Sequence, residues 1–224
     1  MVKFVFIDID DTLLDFDKNA TLAVKMAFEK VGLNYLEEYG PKFLKINDAL
    51  WRMIEKKELT REGLHKVRFQ KVLSEFSLSG DGALVEKLFR EHLFDLAIPV
   101  EGALDIVKYL SNKYILCAAS NAIYNQQINR LKKAGMLEYF SKIFVSEIIG
   151  HNKPNKEFFD ACFSKLNGAT PSNTVMIGDS LTADVKGAKE YGMTTIWFNK
   201  KNQVAEEKAY TYSVNELSMI KKYL

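Results

Sequence analysis

The sequence predicts an α/β protein with a doubly wound parallel sheet and an inserted all-helical domain. Three observations lead to this prediction. Five short apolar runs typical of buried strands are spread along the chain. From residue 100 onward they alternate with amphipathic helical patterns, whereas residues 16–97 carry helical patterns and no convincing strand. Alternation of near-continuous apolar strands with helices indicates a parallel sheet covered on both faces.

The sheet elements follow one another in a regular order. Strands are expected at 3–8, 113–119, 142–146, 173–178 and 193–198. Apolar residues at three- and four-residue spacing predict helices at 101–111, 124–134, 155–166 and 182–191. Because such crossovers are right-handed, the C-terminal ends of all these strands should meet at one edge of the sheet.

The helical domain interrupts this pattern directly after the first strand. Its helices are expected at 19–32, 41–57, 60–76 and 81–95, with Thr60 as the N-cap of the third. Pro99 marks the return to the sheet. We therefore expect a sheet domain of residues 1–15 and 98–224 and a helical cap domain of residues 16–97.

Composition excludes several classes of protein. The 224 residues are 47% hydrophobic and 27% charged, and the net charge of +2 gives no indication of a nucleic-acid-binding surface. No apolar run approaches the length of a membrane span, so none is expected. Asp8 interrupts the N-terminal apolar segment too early for a signal peptide. Cys117 and Cys162 lack Cys-x-x-Cys spacing and should be buried free thiols in the cytoplasm. A monomer or a small homo-oligomer is expected.

The first strand ends in an acidic segment, Asp8-Ile9-Asp10-Asp11-Thr12. A single aspartate at a strand end usually caps a turn. Here Asp8 and Asp10 are two residues apart, so both side chains can approach one reacting centre. Open α/β sheets bind ligands at the C-terminal ends of their strands. The segment is therefore a candidate catalytic loop, in which Asp11 is expected to cap the turn.

Polar residues follow three further strand candidates. Ser120 and Asn121 follow the second, Lys153 follows the third, and Asp179 and Asp184 follow the fourth. This set suits phosphoryl transfer, in which one aspartate attacks phosphorus and a second carboxyl group transfers protons. Clustered carboxylates would repel a phosphate unless a cation such as Mg²⁺ intervened. Because Lys153 lies in a loop beside Pro154, we expect it to be exposed and to act electrostatically.

These residues resemble, in order, the four motifs of the haloacid dehalogenase superfamily of phosphohydrolases. The resemblance implies that Asp8 is the nucleophile, Asp10 the general acid/base and Lys153 the charge-neutralising lysine. Asp10 also argues against dehalogenation, which needs no proton donor at that position. The implied substrate is a small phosphate monoester.

The same resemblance assigns the binding residues. Ser120, Asn121 and Thr12 are implied to bind substrate, and Thr12 fits phosphatases better than sugar-phosphate mutases. Mg²⁺ would be held by the Asp8 carboxylate, the Asp10 backbone carbonyl and Asp179. Asp184 would support the site by orienting Lys153 or metal-bound water.

A finer resemblance concerns the substrate. Residues 8–17, 47–51, 67–69 and 153–155 are similar to bacterial house-cleaning pyrimidine 5′-nucleotidases, which implies pyrimidine nucleoside monophosphates as substrates. Two alternatives remain open: a phosphatase of sugar phosphates, phosphoglycolate or flavin mononucleotide (FMN), and a phosphatase-like domain that binds without turnover.

Candidate substrate contacts come from the cap. Phe16, at the expected hinge, is one; Trp51 and Phe69 are expected either to stack on a base or to belong to the core. Asn47 and Arg68 are candidates to bind the edge of the base.

Overall fold

In the computed structural model, which describes residues 1–205 and 209–224, the chain divides into two compact units. Met1–Asp15 and Pro99–Leu224 form one, which we call the sheet unit. Phe16–Ile98 form the other, the helical unit.

The described residues of the sheet unit form one six-stranded sheet in which every pairing is parallel, in the order β3-β2-β1-β4-β5-β6. β1 lies at its centre, between β2 and β4. The strands are β1 (Phe4–Ile7), β2 (Ile115–Ser120), β3 (Lys142–Val145), β4 (Thr174–Gly178), β5 (Thr194–Phe198) and β6 (Tyr212–Val214).

Both faces of the sheet are covered, which confirms the predicted doubly wound fold. Alternate residues of β1 point to opposite faces, so that Val5 belongs to one apolar cluster and Phe6 to another. Helices α5 and α6 contribute to the Val5 cluster, and α8 and α9 to the Phe6 cluster. The helices of this unit are α5 (Ala103–Lys113), α6 (Tyr124–Lys133), α7 (Ser146–Ile149), α8 (Lys156–Phe163) and α9 (Gly187–Glu190).

Several elements of the sheet unit differ from prediction, and the short helix α7 is one that was not predicted. β6 was not predicted, because its three residues, Tyr-Ser-Val, are too short to form a recognisable apolar run. The single helix expected at 182–191 is a π-helical turn, Leu181–Lys186, followed by α9. π-Helical turns often occur at functional sites, and this one contains Asp184.

The helical unit consists, in its described residues, of the four predicted helices, whose bounds differ from prediction by up to three residues. Thr60 caps α3 as predicted, since its side chain accepts a hydrogen bond from the Gly63 N–H at 3.0 Å. The helices are α1 (Phe16–Lys30), α2 (Tyr39–Glu55), α3 (Arg61–Glu75) and α4 (Gly82–Asp95).

Aromatic residues of the helical unit form its core. Phe69 is buried, and its ring centroid lies 5.6 Å from that of Phe43 and 5.2 Å from that of Phe89. Phe69 is therefore a core residue, and the alternative that it stacks on a base is wrong. Trp51 is half-buried beside a second apolar cluster around Leu50.

A buried ion pair accounts for two residues expected to contact substrate. Arg68 donates to Glu86 at 2.6 and 3.0 Å and to the Asn47 side-chain oxygen at 3.0 Å, and all three residues are buried. A buried guanidinium needs such partners. Arg68 and Asn47 therefore stabilise the interior of the helical unit, and we correct their assignment to base recognition.

The two cysteines, Cys117 and Cys162, are free and buried, as predicted. Burial raises the pKa of the Cys117 thiol to about 12. Within the described residues, the longest apolar stretches of helix fall short of what a bilayer crossing requires.

Candidate active site

The loop after β1 turns sharply and directs its polar side chains to the C-terminal edge of the sheet. The Ile9 carbonyl accepts hydrogen bonds from the N–H groups of both Leu13 and Leu14 at 2.8 Å. Asp11 adopts a φ of 58°, a left-handed conformation that aspartate tolerates better than most residues. Its carboxylate accepts a hydrogen bond from Lys200, after β5, at 2.7 Å.

Lys153 lies at the centre of the site. Its ammonium nitrogen is 2.7 Å from Asp8 Oδ1 and 2.6 Å from Asp184 Oδ1, and it also donates to the Ala119 carbonyl. Lys153 is only 1% exposed, so the expectation of an exposed loop lysine is wrong. The Lys153 ammonium thus joins the segments that follow β1 and β4 to the C-terminal end of β2.

The Asn121 side chain fixes the backbone of this lysine. Its Nδ2 donates to the Lys153 carbonyl at 2.9 Å, and its Oδ1 accepts from the Lys153 N–H at 2.8 Å. Both polar atoms of the amide are thereby engaged in holding a neighbouring loop. This geometry supports a positioning role, and the implied contact of Asn121 with substrate stays a prediction.

Asp179 and Asp184 are held by separate contacts. Thr12, which is fully buried, donates to Asp179 Oδ1 at 3.2 Å, so its hydroxyl orients this carboxylate; its implied contact with substrate stays a prediction. The Ser180 N–H donates to Asp184 Oδ2 at 3.0 Å. Gly178 permits this approach, because an ideal Cβ there would lie 2.2 Å from Asp184 Oδ2.

Burial determines the electrostatics of these groups. Desolvation raises the pKa of Asp8 to about 8, and the Lys153 ammonium opposes the shift. The pKa of Asp179 is raised well above its ordinary value, first by desolvation and then by Asp184 and Asp8. For Lys153, desolvation lowers the pKa, but the nearby Asp184 and Asp8 carboxylates outweigh it and the net shift is upward. One buried ammonium therefore stands among three carboxylates.

The surplus of carboxylates fits a bound cation. Among the described residues, Asp8, Asp179 and Asp184 each offer a carboxylate oxygen within 4.8 Å of the others. Oxygen ligands of this kind suit Mg²⁺. Asp184 already uses one oxygen for Lys153 and the other for Ser180, which favours Asp8 and Asp179 as the carboxylate ligands.

Sequence reasoning missed two residues that contact Asp10. Gln127 and Arg130 are buried residues of α6, and each binds one oxygen of the Asp10 carboxylate at 2.6 Å. Gln127 also donates to the Ser120 hydroxyl at 3.0 Å. The available signal was a polar pair three residues apart on the helix face that carries Leu131. His151, two residues before Lys153 in the chain, is exposed.

The haloacid dehalogenase-like hydrolase family matches residues 2–192, which span the sheet unit up to α9 and the whole helical unit. The chain belongs to this family. The resemblance inferred from the four motifs is thus confirmed, as is the prediction of an enzyme.

Haloacid dehalogenase-like (HAD) relatives cover nearly the whole chain. The HAD-hydrolase YfnB of Bacillus subtilis is 35% identical over 88% of this chain and 84% of its own. The pyrimidine 5′-nucleotidase PynA of Streptococcus pneumoniae is 32% identical, covering 96% and 93%. A glyceraldehyde 3-phosphate phosphatase of Methanothermobacter thermautotrophicus is 28% identical, covering 92% and 89%.

A solved structure of this HAD family matches in three dimensions. The crystal structure of YfnB bound to magnesium superposes with a TM-score of 0.94 and 32% identity, covering 100% of this chain and 98% of that one. Magnesium in a relative so similar in structure agrees with the oxygen-rich donor set of this site.

Proposed function

We propose that this protein is a Mg²⁺-dependent phosphomonoesterase that acts through an aspartyl-phosphate on Asp8 and hydrolyses pyrimidine nucleoside 5′-monophosphates. The observation that carries the proposal is the buried Lys153, whose ammonium bridges Asp8 and Asp184 at 2.7 and 2.6 Å. A cation fixed against a carboxylate at the C-terminal edge of the sheet can keep that carboxylate ionised and stabilise charge on a phosphoryl group.

In the first half-reaction, an Asp8 carboxylate oxygen attacks phosphorus and forms the new P–O bond. The bond from phosphorus to the ester oxygen breaks, and the leaving oxygen takes a proton from the Asp10 carboxyl group. Lys153 favours the ionised, nucleophilic form of Asp8, because its ammonium opposes the desolvation that raises the pKa of Asp8, and the net result of both is a pKa of about 8.

In the second half-reaction, a water molecule attacks phosphorus and gives a proton to the Asp10 carboxylate. Inorganic phosphate leaves, and the Asp8 carboxylate is restored. The Ser120 hydroxyl is proposed to hold a phosphoryl oxygen. Mg²⁺, when held by Asp8, Asp179 and the Asp10 carbonyl, would neutralise negative charge of the phosphoryl group.

The choice of substrate rests on similarity to PynA, a pyrimidine 5′-nucleotidase. Phe16, the first residue of α1, is the proposed contact to the nucleotide because it follows the catalytic loop so closely in the chain. The similarity to a glyceraldehyde 3-phosphate phosphatase favours sugar phosphates as the second candidate class.

The two free, buried thiols agree with a cytoplasmic location.

A panel of phosphate monoesters tests this function. We expect UMP, dUMP or dTMP to be hydrolysed in Mg²⁺ with higher kcat/KM than AMP, GMP, hexose phosphates, glyceraldehyde 3-phosphate, phosphoglycolate or FMN. Asp8→Asn should be folded and inactive, and acid-quenched wild-type enzyme should carry phosphate on Asp8.

Two results would count against the proposal at different levels. A sugar phosphate, phosphoglycolate or FMN that exceeds every pyrimidine nucleotide tenfold, about 1.4 kcal/mol in transition-state binding, would refute the substrate class alone. Near-normal kcat in Asp8→Asn would refute the covalent mechanism.

A further inference from the structure

Helix α6 places two polar side chains in the interior of the sheet unit. Gln127 and Arg130 both have no exposed surface, although glutamine and arginine are mostly exposed in proteins. They are three residues apart and therefore lie on the same face of the helix. Burial of an arginine requires specific partners, and for Arg130 Asp10 is the oppositely charged partner described here.

The contacts leave the Asp10 carboxylate little freedom. Its Oδ1 accepts from Arg130 Nη1 at 2.6 Å, and its Oδ2 accepts from Gln127 Nε2 at 2.6 Å. The Gln127 carbonyl oxygen in turn accepts from Arg130 Nη1 at 3.2 Å, which fixes the amide of Gln127. The same Nε2 donates to Ser120 Oγ at 3.0 Å.

These four side chains form one network, which we call the Asp10 network. It connects the proposed proton donor and the proposed phosphate-binding hydroxyl through α6. Two donors on two carboxylate oxygens determine both the position of the carboxyl group and its rotation about the bond to Cβ. A neutral amide and a rigid guanidinium are well suited to this because each has fixed geometry.

We propose that Gln127 and Arg130 are positioning residues that set the orientation of the Asp10 carboxyl group for proton transfer to the leaving oxygen. This inference rests on the proposed function. A general acid must come within about 2.6–3.2 Å of the atom it protonates. A displacement of about 1 Å in a reacting group can cost on the order of 10²-fold in rate.

The leaving group distinguishes positioning from a purely structural role. An alkoxide, such as the 5′-oxygen of a nucleoside, needs a proton to depart, whereas p-nitrophenolate is weakly basic and needs little assistance. The ratio kcat/KM reports events up to the first irreversible step, which includes departure of the leaving group. Misplacement of Asp10 should therefore slow alkyl phosphates more than p-nitrophenyl phosphate.

The test compares matched variants on the best alkyl phosphate of the panel and on p-nitrophenyl phosphate. Gln127→Met and Arg130→Met remove the donors while keeping side-chain length. We expect kcat/KM to fall about tenfold or more on the alkyl phosphate and about threefold or less on p-nitrophenyl phosphate. Arg130→Lys should recover part of the loss. Lys132→Met, at an exposed position of the same helix, should leave both values unchanged.

Each outcome bears on the proposal. Equal losses of kcat/KM on both substrates in Gln127→Met and Arg130→Met, or no loss on either, would overturn the positioning role. A selective loss on the alkyl phosphate in Asp10→Asn would at the same time support Asp10 as the acid/base, so that only the positioning role fails. If Arg130→Met does not fold, Gln127→Met, which removes no charge, decides alone. A wild-type enzyme without phosphatase activity, or an Asp10→Asn variant without selective loss, would instead identify the proposed function as the part that fails.

Discussion

Lys153 and Asp184 form an ion pair of 2.6 Å in which each side chain is 2% exposed. The same ammonium lies 2.7 Å from Asp8. Removing one partner of a buried ion pair leaves the other charge without compensation, which commonly costs about 3–5 kcal/mol. A residue proposed to stabilise phosphoryl transfer is thus also a determinant of the fold.

Lys153→Met should therefore lower both activity and stability. We expect the free energy of unfolding without Mg²⁺ to fall by about 3–5 kcal/mol, because two buried carboxylates lose their cation. Urea denaturation at neutral pH measures this change. Lys153→Met combined with Asp184→Asn should be more stable than Lys153→Met alone, since one of the uncompensated charges is gone. A Lys153→Met variant as stable as wild type would contradict the buried position of the lysine.

Gly187→Ala should be destabilising although Gly187 begins a helix. Alanine ordinarily favours a helix over glycine by about 1 kcal/mol. Here an ideal Cβ would lie 2.4 Å from Pro154 Cβ and 2.8 Å from the Pro154 carbonyl oxygen. Relief of this overlap must move the residue next to Lys153, so we expect a loss of about 1–3 kcal/mol together with a lower kcat.

Gly80→Ala is the matched control for this substitution. The nearest atoms to an ideal Cβ at Gly80 lie 3.6 and 3.7 Å away, an ordinary contact distance. Its unfolding free energy should stay within about 1 kcal/mol of wild type. Equal stability and activity of the two variants would refute the contact between Gly187 and Pro154.

Mg²⁺ should stabilise the folded protein through the carboxylate group around Asp179. At a concentration about 100 times its dissociation constant, a ligand of the folded state adds about 2.7 kcal/mol, or roughly 5–10 °C in melting temperature for a chain of this size. Asp179→Asn should abolish the shift. Asp105→Asn, at an exposed position of α5, should retain it in full. An undiminished shift in Asp179→Asn would place the cation elsewhere.

His65 should make the stability of the protein depend on pH. Burial, followed by the charges of Arg90, Arg68 and Arg61, lowers the pKa of His65 from 6.5 to about 4. Between these values the unfolded chain binds the additional proton, so the free energy of unfolding falls as the pH decreases from 6.5 to about 4.

Urea denaturation at about pH 7 and about pH 5 measures this dependence. His65→Gln should lose less stability than wild type between the two values. His151→Gln, which removes an exposed histidine of the sheet unit, is the control and should follow wild type. Identical pH dependence in His65→Gln and wild type would contradict the prediction.

The central strands could be predicted from sequence because burial on both faces gives them continuous apolar runs, as in Phe4–Ile7 and Thr174–Gly178. β6 could not be predicted, because it has only three residues and one of them is exposed, so that it forms no continuous apolar run. In the helical unit, the periodicity located the helices but did not indicate that Arg68 pairs with Glu86 inside it.

The site residues that directly follow strand ends could be predicted from the sequence. Those whose burial depends on partners distant in the chain could not. Asp8, Asp179 and Lys153 come together as expected for parallel strands. Gln127 and Arg130 become buried through Asp10, which lies 117 and 120 residues away in the chain. Lys153 was expected to be exposed because local sequence carries no sign that Asn121 draws its backbone inward.

The two hydrogen bonds between the Asn121 side chain and the Lys153 backbone have a consequence for tolerance to insertions. They fix the backbone of Lys153 directly to the residue that follows β2, so its position does not depend on the length of the span between Asn121 and Lys153, which lie 32 positions apart in the chain. Gly150, within this span, is exposed and has a φ of 83°, as in a tight surface turn. A short reporter peptide or affinity tag inserted after Gly150 would therefore lengthen the chain at its surface without displacing Lys153.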